Sequence, residues 1–375
     1  MAALRDDVDP EGLQEFSVVF TDRSLNHMSA KFQQVMRDIS EMLREVYGAA
    51  SVALVPGGGT YGMEAVARQF ASGRHAFVLR NGWFSYRWSQ IFEAGGFASE
   101  VTVMKARASG NEPQAPFAPA PIDEVVARIH DVKPDVVFAP HVETAAGVIL
   151  PDDYLKSMAE AAHDVGALFV LDCIASGCIW VDMKAVGVDV LISAPQKGWS
   201  ASPSAGLVML SDRARARIDG TASSSFALDL KKWLSIMEAY EKGGHAYHAT
   251  MPTDALARFR DTMAETRDYG FDRLKLAQWA LGDGVRAMLK RKGVRSVAAE
   301  GFEAPGVVVS YTDNPEIQSG RAFLAKGMQI AAGVPLQCDE GEAFKTFRIG
   351  LFGLDKLYDV DGTIGRLQAV VDEVL

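Results

Sequence analysis

The sequence predicts an α/β fold, in which a large, mostly parallel sheet of seven strands is covered by helices and followed by a smaller C-terminal α+β domain. Two observations lead to this prediction. Between about residues 30 and 215, short segments that are apolar on both faces alternate with amphipathic helical segments, as expected for parallel strands buried between helices. After about residue 225 the pattern changes to long helical segments with only two further strand candidates.

The elements of the large domain follow from hydrophobic spacing. Apolar residues recur at helical intervals through 32–47, and a buried strand is predicted at 52–55. A glycine turn then leads into a helix from about Gly62 to Phe70. The further strand candidates are short and continuously apolar, and they lie at 76–79, 101–104, 136–139, 168–171, 188–192 and 206–210.

The rest of the chain comprises a loop and the smaller domain. Residues 108–121 are rich in proline and predict a surface loop before a helix that begins near Ile122. Helical patterns run through 228–242 and 253–292, and strand patterns occupy 307–311 and 346–350. A chain of 375 residues is too long for one small core. We therefore expect an N-terminal segment at 1–25, a large domain at 26–250 and a small domain at 251–375.

Composition and charge argue against several classes of protein. A formal net charge of −10 and the absence of a basic stripe disfavour nucleic-acid binding, because phosphates must be neutralised by cations. Cys173, Cys178 and Cys338 have neither metal-ligand nor disulfide spacing, which predicts no metal site and a reducing compartment. The first seven residues lack an apolar signal segment, and no apolar run is long enough to span a bilayer. These features predict a cytoplasmic protein without membrane partners.

Lys197 and Asp172 carry the strongest chemical signal in the chain. Asp172 ends the strand candidate at 168–171, and Lys197 follows the next strand candidate. A lysine amine can form a Schiff base with a pyridine aldehyde while a carboxylate holds a proton on the ring nitrogen, so the pair predicts pyridoxal phosphate (PLP). Both residues have ordinary alternatives, since Asp172 could be a helix cap and Lys197 a surface residue. The apolar neighbours of Lys197 favour the chemical role, because they disfavour a charged amine.

A glycine-rich turn at 56–59 separates the first strand candidate from a helix. Glycines in this position leave backbone N–H groups free to point at a phosphate, and the helix dipole adds to the attraction. Such turns also occur for purely steric reasons, so the turn alone is a weak indication.

Taken together, these residues resemble the class V aminotransferases, a branch of the fold-type I PLP-transferases, and most closely the alanine/serine–glyoxylate aminotransferase group. The resemblance covers about residues 26–350. It is carried by Asp172 and, in chain order, by Asn-His-Met-Ser at 26–29, Gly-Thr-Tyr-Gly-Met-Glu-Ala at 59–65, Asn-Gly-Trp-Phe at 81–84, His-Val-Glu-Thr-Ala-Ala-Gly at 141–147, Ser-Ala-Pro-Gln-Lys at 193–197 and Phe-Arg-Ile-Gly at 347–350. Each motif alone is unspecific, and their order makes the resemblance specific.

The resemblance implies a role for each matched residue. Lys197 would bind the cofactor covalently and move a proton at the substrate α-carbon, and Asp172 would hold the ring nitrogen. Phe84 would stack on the ring, although a core aromatic is an alternative, while Ile174 would pack under the ring and Thr144 would donate to its hydroxyl. The phosphate would be held by Gly58, Gly59, Thr60 and Gln196, and by Tyr247 and Thr250 of a second subunit. The active sites would therefore be shared across a homodimer.

Arg348 is the candidate substrate residue. A guanidinium on a strand of the small domain can clamp an α-carboxylate through two hydrogen bonds, although a surface ion pair is the alternative. The resemblance implies a ping-pong aminotransferase that moves an amino group from a small amino acid, such as alanine or serine, to a small 2-oxo acid, glyoxylate or pyruvate.

Departures from the family leave other functions open. The segment 15–25 lacks the Gly-Pro-rich stretch with which the relatives open, and Gly58 replaces a serine that is common in the phosphate loop. One alternative is a cysteine desulfurase or related carbon–sulfur lyase with Cys338 as nucleophile, although such enzymes usually carry histidine where this chain has Gln196. Others are a phosphonate-directed transaminase, which needs extra cations near its substrate, and a non-catalytic protein of the same fold.

Overall fold

The seven predicted strands of the large domain form one sheet in the computed structural model, which describes residues 6–375. Residues 1–5, the start of the predicted N-terminal segment, lie outside the described residues. The strands are β1 (Ser51–Pro56), β2 (His75–Arg80), β3 (Glu100–Lys105), β4 (Val136–Pro140), β5 (Leu168–Asp172), β6 (Val190–Ser193) and β7 (Ala205–Leu210). Their order across the sheet is β1-β7-β6-β5-β4-β2-β3, and only β7 runs antiparallel to its neighbours. The predicted mostly parallel sheet is confirmed.

Helices cover the sheet, and the central strands β4, β5 and β6 are buried on both faces. The helices are α1 (Ala30–Tyr47), α2 (Gly59–Phe70), α3 (Trp83–Gly95), α4 (Ile122–Val132), α5 (Asp152–Asp164), α6 (Met183–Val186), α7 (Asp212–Ile218), α8 (Leu230–Glu241), α9 (Thr253–Tyr269), α10 (Phe271–Arg291), α11 (Pro315–Gln318), α12 (Arg321–Leu324), α13 (Leu354–Leu357) and α14 (Val360–Val374). Within residues 6–375, no helix combines the length and the apolar composition needed to cross a membrane.

A second, smaller sheet contains the two C-terminal strands that were predicted from sequence. Its strands are β8 (Val307–Tyr311), β9 (Ala331–Ala332) and β10 (Thr346–Gly350), in the antiparallel order β8-β10-β9. In this register Arg348 of β10 lies opposite Val309 on one side and Ala331 on the other. The small sheet packs through an apolar cluster against the segment after β4, and Phe84 and Phe352 border that cluster. The carboxyl ends of the parallel strands therefore face the small domain.

Several predicted boundaries were wrong, each for a local physical reason. The helix expected from Gly62 begins at Gly59, because Gly58 is extended and the glycines after it are already helical. The helical pattern expected over 253–292 is confirmed, and it is divided between two helices because Gly270 has a φ of 107°, which is incompatible with a helix. The strand expected at 188–192 begins only at Val190, because the N–H of Val188 donates to the Met183 carbonyl and so belongs to the preceding turn.

The proline-rich loop also differs from the prediction. Its two ends are joined by a short antiparallel ribbon, in which Arg107–Ala108 pairs with Phe117–Ala118. A second ribbon, between Val142–Glu143 and Val148–Ile149, follows β4. Two-residue ribbons leave too short a sequence pattern to be predicted.

Candidate active site

Lys197 lies in the turn that follows β6, and its position is fixed by what surrounds it. There is no room for a side chain at Gly198, because a Cβ there would lie 2.0 Å from the carbonyl oxygen of Gly177. Trp199 is fully buried and packs on Trp180 with the ring centroids 4.7 Å apart. A glycine on one side and a buried tryptophan beyond it hold the turn against the large domain, so the lysine has a defined place.

The Lys197 amine is partly buried in a cationic and aromatic environment. Its Nζ lies 5.2 Å from the centroid of the Phe352 ring. Burial lowers the pKa of Lys197, and the nearby Arg348 guanidinium lowers it further. No carboxylate among residues 6–375 forms an ion pair with this amine. A lysine whose charged form is disfavoured in this way acts more readily as a nucleophile and as a base.

Asp172 ends β5 and is buried beside the end of β6, where it lies opposite Ile192 in the sheet. Its Oδ1 accepts a hydrogen bond of 2.9 Å from the backbone N–H of Ile174. Burial raises the pKa of Asp172 to about 7; the Ile174 N–H and Arg87 oppose this effect, and Glu143 adds to it. The carboxylate therefore lacks a full charge partner in the protein, which suits a cationic N–H donor.

The glycine turn brings the first turn of α2 close to the end of β5. A Cβ on Gly59 would lie 2.5 Å from Cδ1 of Ile174, so a larger residue would push the two elements apart. Gly58 precedes the helix in extended conformation and gives it no side-chain cap. The structure thus places Ile174 between the glycine turn and Asp172, with uncapped backbone N–H groups at the start of the helix.

Two buried polar atoms in the segments that flank β6 and β7 have no hydrogen-bond partner within the described part of the chain. They are Oε1 of Gln196 and Oγ of Ser204. Ser204 adjoins the turn directly, because its carbonyl accepts a hydrogen bond of 2.9 Å from the N–H of Gly57. Sequence analysis did not identify Ser204, since only the antiparallel pairing of β1 with β7 brings it there. Unsatisfied polar groups and uncapped N–H groups fit a phosphate in this region.

Phe84 is positioned by a buried carboxylate. Glu143 is fully buried and accepts hydrogen bonds from the backbone N–H of Phe84 (3.2 Å) and of Ser85 (2.9 Å) and from the Ser85 hydroxyl (2.7 Å). These bonds anchor the first turn of α3 next to the ribbon after β4. Thr144 follows Glu143 and is also buried. The backbone of the predicted ring-stacking residue is therefore held by the residue that directly precedes the predicted hydroxyl donor.

Arg348 enters the same region from the small domain. Its Nε donates to the carbonyl of Ala332 over 2.8 Å, which orients the guanidinium. The Cζ atom lies 5.5 Å from the centroid of the Phe84 ring. Burial lowers the pKa of Arg348, while Glu143 raises it. Because Arg348 also lowers the pKa of Lys197, the two cations lie close to each other.

A third cation, Arg87, was not identified from the sequence. Its Nη1 donates to Oγ1 of Thr60 over 2.9 Å, and its Cζ lies 5.3 Å from the Phe84 ring centroid. The signal that could have revealed it is helical spacing, because residues three apart lie on one face of a helix and Arg87 follows Phe84 by three positions.

Tyr247 and Thr250 lie apart from this group in the same chain. The Tyr247 hydroxyl is 3.1 Å from Oγ1 of Thr250, and both side chains are exposed. The Tyr247 ring lies 5.5 Å from the ring of His27. Within residues 6–375, neither residue forms a hydrogen bond with Lys197 or Asp172.

Cys338, the candidate nucleophile of the lyase alternative, is buried. Its Sγ lies 3.5 Å from the carbonyl oxygen of Arg80 and 3.7 Å from that of Leu336. Burial raises the pKa of Cys338 to about 12, and the carboxylates of Glu143 and Glu340 contribute. The described residues contain no cluster of three or more His, Cys, Asp or Glu side chains that could hold a metal ion.

Sequence comparison relates the chain to known proteins over most of its length. The sequence model of the family described as aminotransferase class-V matches residues 13–331. The small subunit of soluble hydrogenase from Synechococcus sp. (strain PCC 6716) is 24% identical over 93% of this chain and 88% of the relative. A 2-aminoethylphosphonate–pyruvate transaminase from Paraburkholderia phymatum is 26% identical over 92% of this chain and 89% of the relative. Alanine–glyoxylate aminotransferase 1 from Saccharomyces cerevisiae is 25% identical over 88% and 86%, respectively.

Structural comparison agrees with the sequence comparison. The crystal structure of an aspartate aminotransferase of subgroup IV from Thermus thermophilus matches the chain with a TM-score of 0.74 and 25% sequence identity, covering 94% of each chain.

Proposed function

The chain belongs to the class-V aminotransferase family and is a PLP-dependent transaminase, and from this premise we propose that it transfers an amino group from a small amino acid to a small 2-oxo acid. The proposed donors are alanine-like or serine-like, the proposed acceptors are glyoxylate or pyruvate, and the two half-reactions alternate in a ping-pong mechanism. The observation that carries the proposal is the surroundings of Phe84. Arg348, which lowers the pKa of Lys197, and Arg87, which opposes the raised pKa of Asp172, both lie within 5.5 Å of the Phe84 ring centroid.

The residues of the site divide the work of the reaction. Bound PLP supplies an aldehyde that couples to amines and a ring that withdraws electrons from the substrate α-carbon. Lys197 would hold the cofactor and then take and return the proton at the α-carbon, for which its lowered pKa prepares it. Asp172 would accept a hydrogen bond from the ring N–H. The positive charge of that N–H would lower the pKa of Asp172, which burial raises. Phe84 and Ile174 would confine the ring between them.

Hydrogen-bond donors around the cofactor have proposed roles of their own. The Thr144 hydroxyl would donate to the ring hydroxyl. The phosphate would accept hydrogen bonds from the free backbone N–H groups at Gly58 and Gly59 and from the side chains of Thr60 and Gln196. The unsatisfied amide oxygen of Gln196 supports a polar ligand in this place.

The substrate would be held by Arg348. The bond from its Nε to the Ala332 carbonyl leaves the two terminal nitrogens free to bind both oxygens of an α-carboxylate. A carboxylate fixed in this way sets which α-carbon bond faces the electron-withdrawing ring, so Arg348 would orient the substrate as well as bind it. The charge of Arg348 beside Lys197 would also favour an anionic substrate over a neutral amine.

A homodimer with shared active sites accounts for the position of Tyr247 and Thr250. Tyr247 is 55% exposed although its ring is large, and it lies in the loop between α8 and α9. Leu13 and Phe16 of the N-terminal segment are also almost fully exposed, as expected of residues that a partner covers. We propose that Tyr247 and Thr250 reach the phosphate of the partner subunit, and that the dimer is cytoplasmic.

The structure does not favour the carbon–sulfur lyase alternative. A desulfurase needs a mobile thiolate, whereas the Cys338 thiol is buried and its raised pKa keeps it protonated. A phosphonate-directed transaminase is the second candidate, because Arg87 provides a cation beyond Lys197 and Arg348 and because one relative is named for that activity.

A panel of donors and acceptors tests the proposed function. We expect alanine or serine to convert the enzyme-bound cofactor to its amine form, and glyoxylate or pyruvate to convert it back, each half-reaction being visible by absorbance spectroscopy. The rate with 2-aminoethylphosphonate should be lower than with alanine. Release of sulfide from cysteine, or turnover without any oxo acid, would instead support a lyase. A preference for the phosphonate donor would support the second candidate.

Replacing Arg348 by alanine should raise the KM of the amino donor roughly 10- to 100-fold, because a charge-assisted bidentate interaction is lost. PLP affinity should change much less, since Arg348 is assigned to the substrate. The pKa of Lys197 should rise when the neighbouring charge is removed, which would shift the rising limb of the pH–rate profile to higher pH. Arg366→Ala, which removes an exposed arginine of the small domain, is the matched control. Equal losses of PLP and donor affinity would contradict the clamp.

A further inference from the structure

Arg87 is a cation of the active-site region that the proposed transamination of alanine-like donors does not use. It lies on α3 one turn beyond Phe84, so the two side chains leave the same face of the helix. Its guanidinium is 5.3 Å from the Phe84 ring centroid and donates to the Thr60 hydroxyl over 2.9 Å. The guanidinium therefore lies between the proposed ring-stacking residue and the first turn of α2.

The charge of Arg87 is not balanced by a neighbouring carboxylate. Among the described residues it forms no ion pair, and its hydrogen bond goes to a neutral hydroxyl. Of the acids nearby, Glu143 is occupied by the N–H groups at the start of α3. Arg87 lowers the pKa of Asp172, but this is the smallest of the four contributions to that pKa. A guanidinium has five donors and stays charged at physiological pH, so most of its binding capacity is free for an anion.

The first turn of α2 provides the complementary donors. Gly58 has no side chain and leaves open space around the position of a Cβ, so an anion can approach the backbone there. Thr60 accepts from Arg87 through Oγ1 and keeps its own proton to donate to a further group. A phosphate at this place would meet backbone N–H groups, a hydroxyl proton and the planar guanidinium fork, which matches phosphate geometry.

We propose that Arg87 binds the phosphate group of the cofactor and supplies the positive charge that the glycine turn lacks. The proposal rests on the proposed assignment of Gly58, Gly59 and Thr60 to the phosphate. Arg87 is assigned to the phosphate of the cofactor, and not to a second anionic group of the substrate, because its hydrogen-bond partner is Thr60, which directly follows the glycine turn. The substrate carboxylate is assigned to Arg348, which is oriented separately by the Ala332 carbonyl of the small sheet.

The test compares two ligands that differ only in the phosphate. Apoenzyme is titrated with PLP and with pyridoxal, and binding is followed by absorbance and tryptophan fluorescence. Arg87→Gln should weaken PLP binding roughly 10- to 100-fold, as expected for loss of a charge-assisted bond. It should change pyridoxal binding less than about twofold, because pyridoxal lacks the phosphate that Arg87 is proposed to bind. Arg87→Lys, which keeps the charge and loses the fork, should lie between wild type and Arg87→Gln.

Controls separate this proposal from other uses of the arginine. Arg128→Gln removes a helix-surface arginine that is paired with Asp131, and it should leave the ratio of PLP to pyridoxal affinity unchanged. Equal weakening of both ligands by Arg87→Gln would overturn the proposal, since Arg87 would then only support Phe84. Unchanged PLP affinity with a raised KM for aspartate or 2-aminoethylphosphonate would also overturn it and would assign Arg87 to the substrate. A wild type that transaminates none of the tested donors would count against the proposed substrates, but it would not alter the comparison of the two ligands.

Discussion

Replacing Lys197 by alanine should reduce transamination by at least about 10³-fold, because the same amine is assigned to covalent binding of the cofactor and to proton transfer at the α-carbon. The protein should still fold, since Lys197 forms no ion pair in the described chain and the turn around it is held by Gly198 and Trp199. In the wild type, borohydride reduction followed by mass spectrometry should find the mass of the cofactor on the peptide that carries Lys197. The alanine variant should not show this modification.

Lys197→Arg is the control that separates the amine from its charge. Arginine keeps the positive charge but stays protonated at neutral pH, so it can neither attack an aldehyde nor take a proton. We expect it to be as inactive as the alanine variant while retaining more of the cofactor through electrostatic attraction. If borohydride fixed the cofactor on another lysine, or if the arginine variant kept substantial activity, Lys197 could not have the assigned role.

The sequence was a good guide wherever the site depends on the ends of strands. Asp172 and Lys197 follow consecutive apolar segments, and parallel strands bring their carboxyl ends together at one edge of a sheet, so their proximity could be expected. The glycine turn was predictable for the same reason. Arg348 could be placed on a strand of the small domain, but its approach to Phe84 depends on how the small sheet packs against the large domain.

The features that were missed depend on long-range packing. Ser204 is beside the glycine turn only because β7 pairs antiparallel with β1. For Glu143 a structural hydrogen-bonding role was expected, and only its target was missed, because the start of α3 lies 58 or more sequence positions away. Arg87 was recognisable as a neighbour of Phe84 on one helix face, but its contact with Thr60 is tertiary. Contacts between distant segments leave no periodic pattern in either one.

Asp172→Asn should have opposite effects on activity and on the stability of the apoenzyme. We expect kcat to fall roughly 10²- to 10³-fold, the range for loss of one preorganised electrostatic interaction. Without cofactor, the same substitution should stabilise the fold at pH 8, because a buried carboxylate that lacks a charge partner is replaced by a neutral amide. The amide oxygen can still accept the hydrogen bond that Oδ1 receives from Ile174.

The pH dependence of this effect follows from the pKa of Asp172. Its value in the folded apoenzyme is about 7, above the ordinary value of 3.8, so the folded state binds the proton more tightly than the unfolded state. The apoenzyme therefore loses stability as pH rises from about 4 to about 7, by at most about 4 kcal/mol from this group. The asparagine variant has no proton to lose at this position. The stability difference between variant and wild type should vanish at pH 4 and reach its full size above pH 7.

Urea unfolding of the apoenzymes at pH 4 and pH 8, at one fixed protein concentration, measures this difference directly, and saturating PLP should reverse its sign at pH 8. The reversal is expected because the cationic ring N–H forms a stronger hydrogen bond with the wild-type carboxylate than with the neutral amide of the variant. Asp153→Asn, at an almost fully exposed carboxylate on α5, controls for the loss of one negative charge and should show neither effect. Lower apoenzyme stability of Asp172→Asn at pH 8 would mean that Asp172 serves the fold, and its assignment to the ring nitrogen would lose its physical basis.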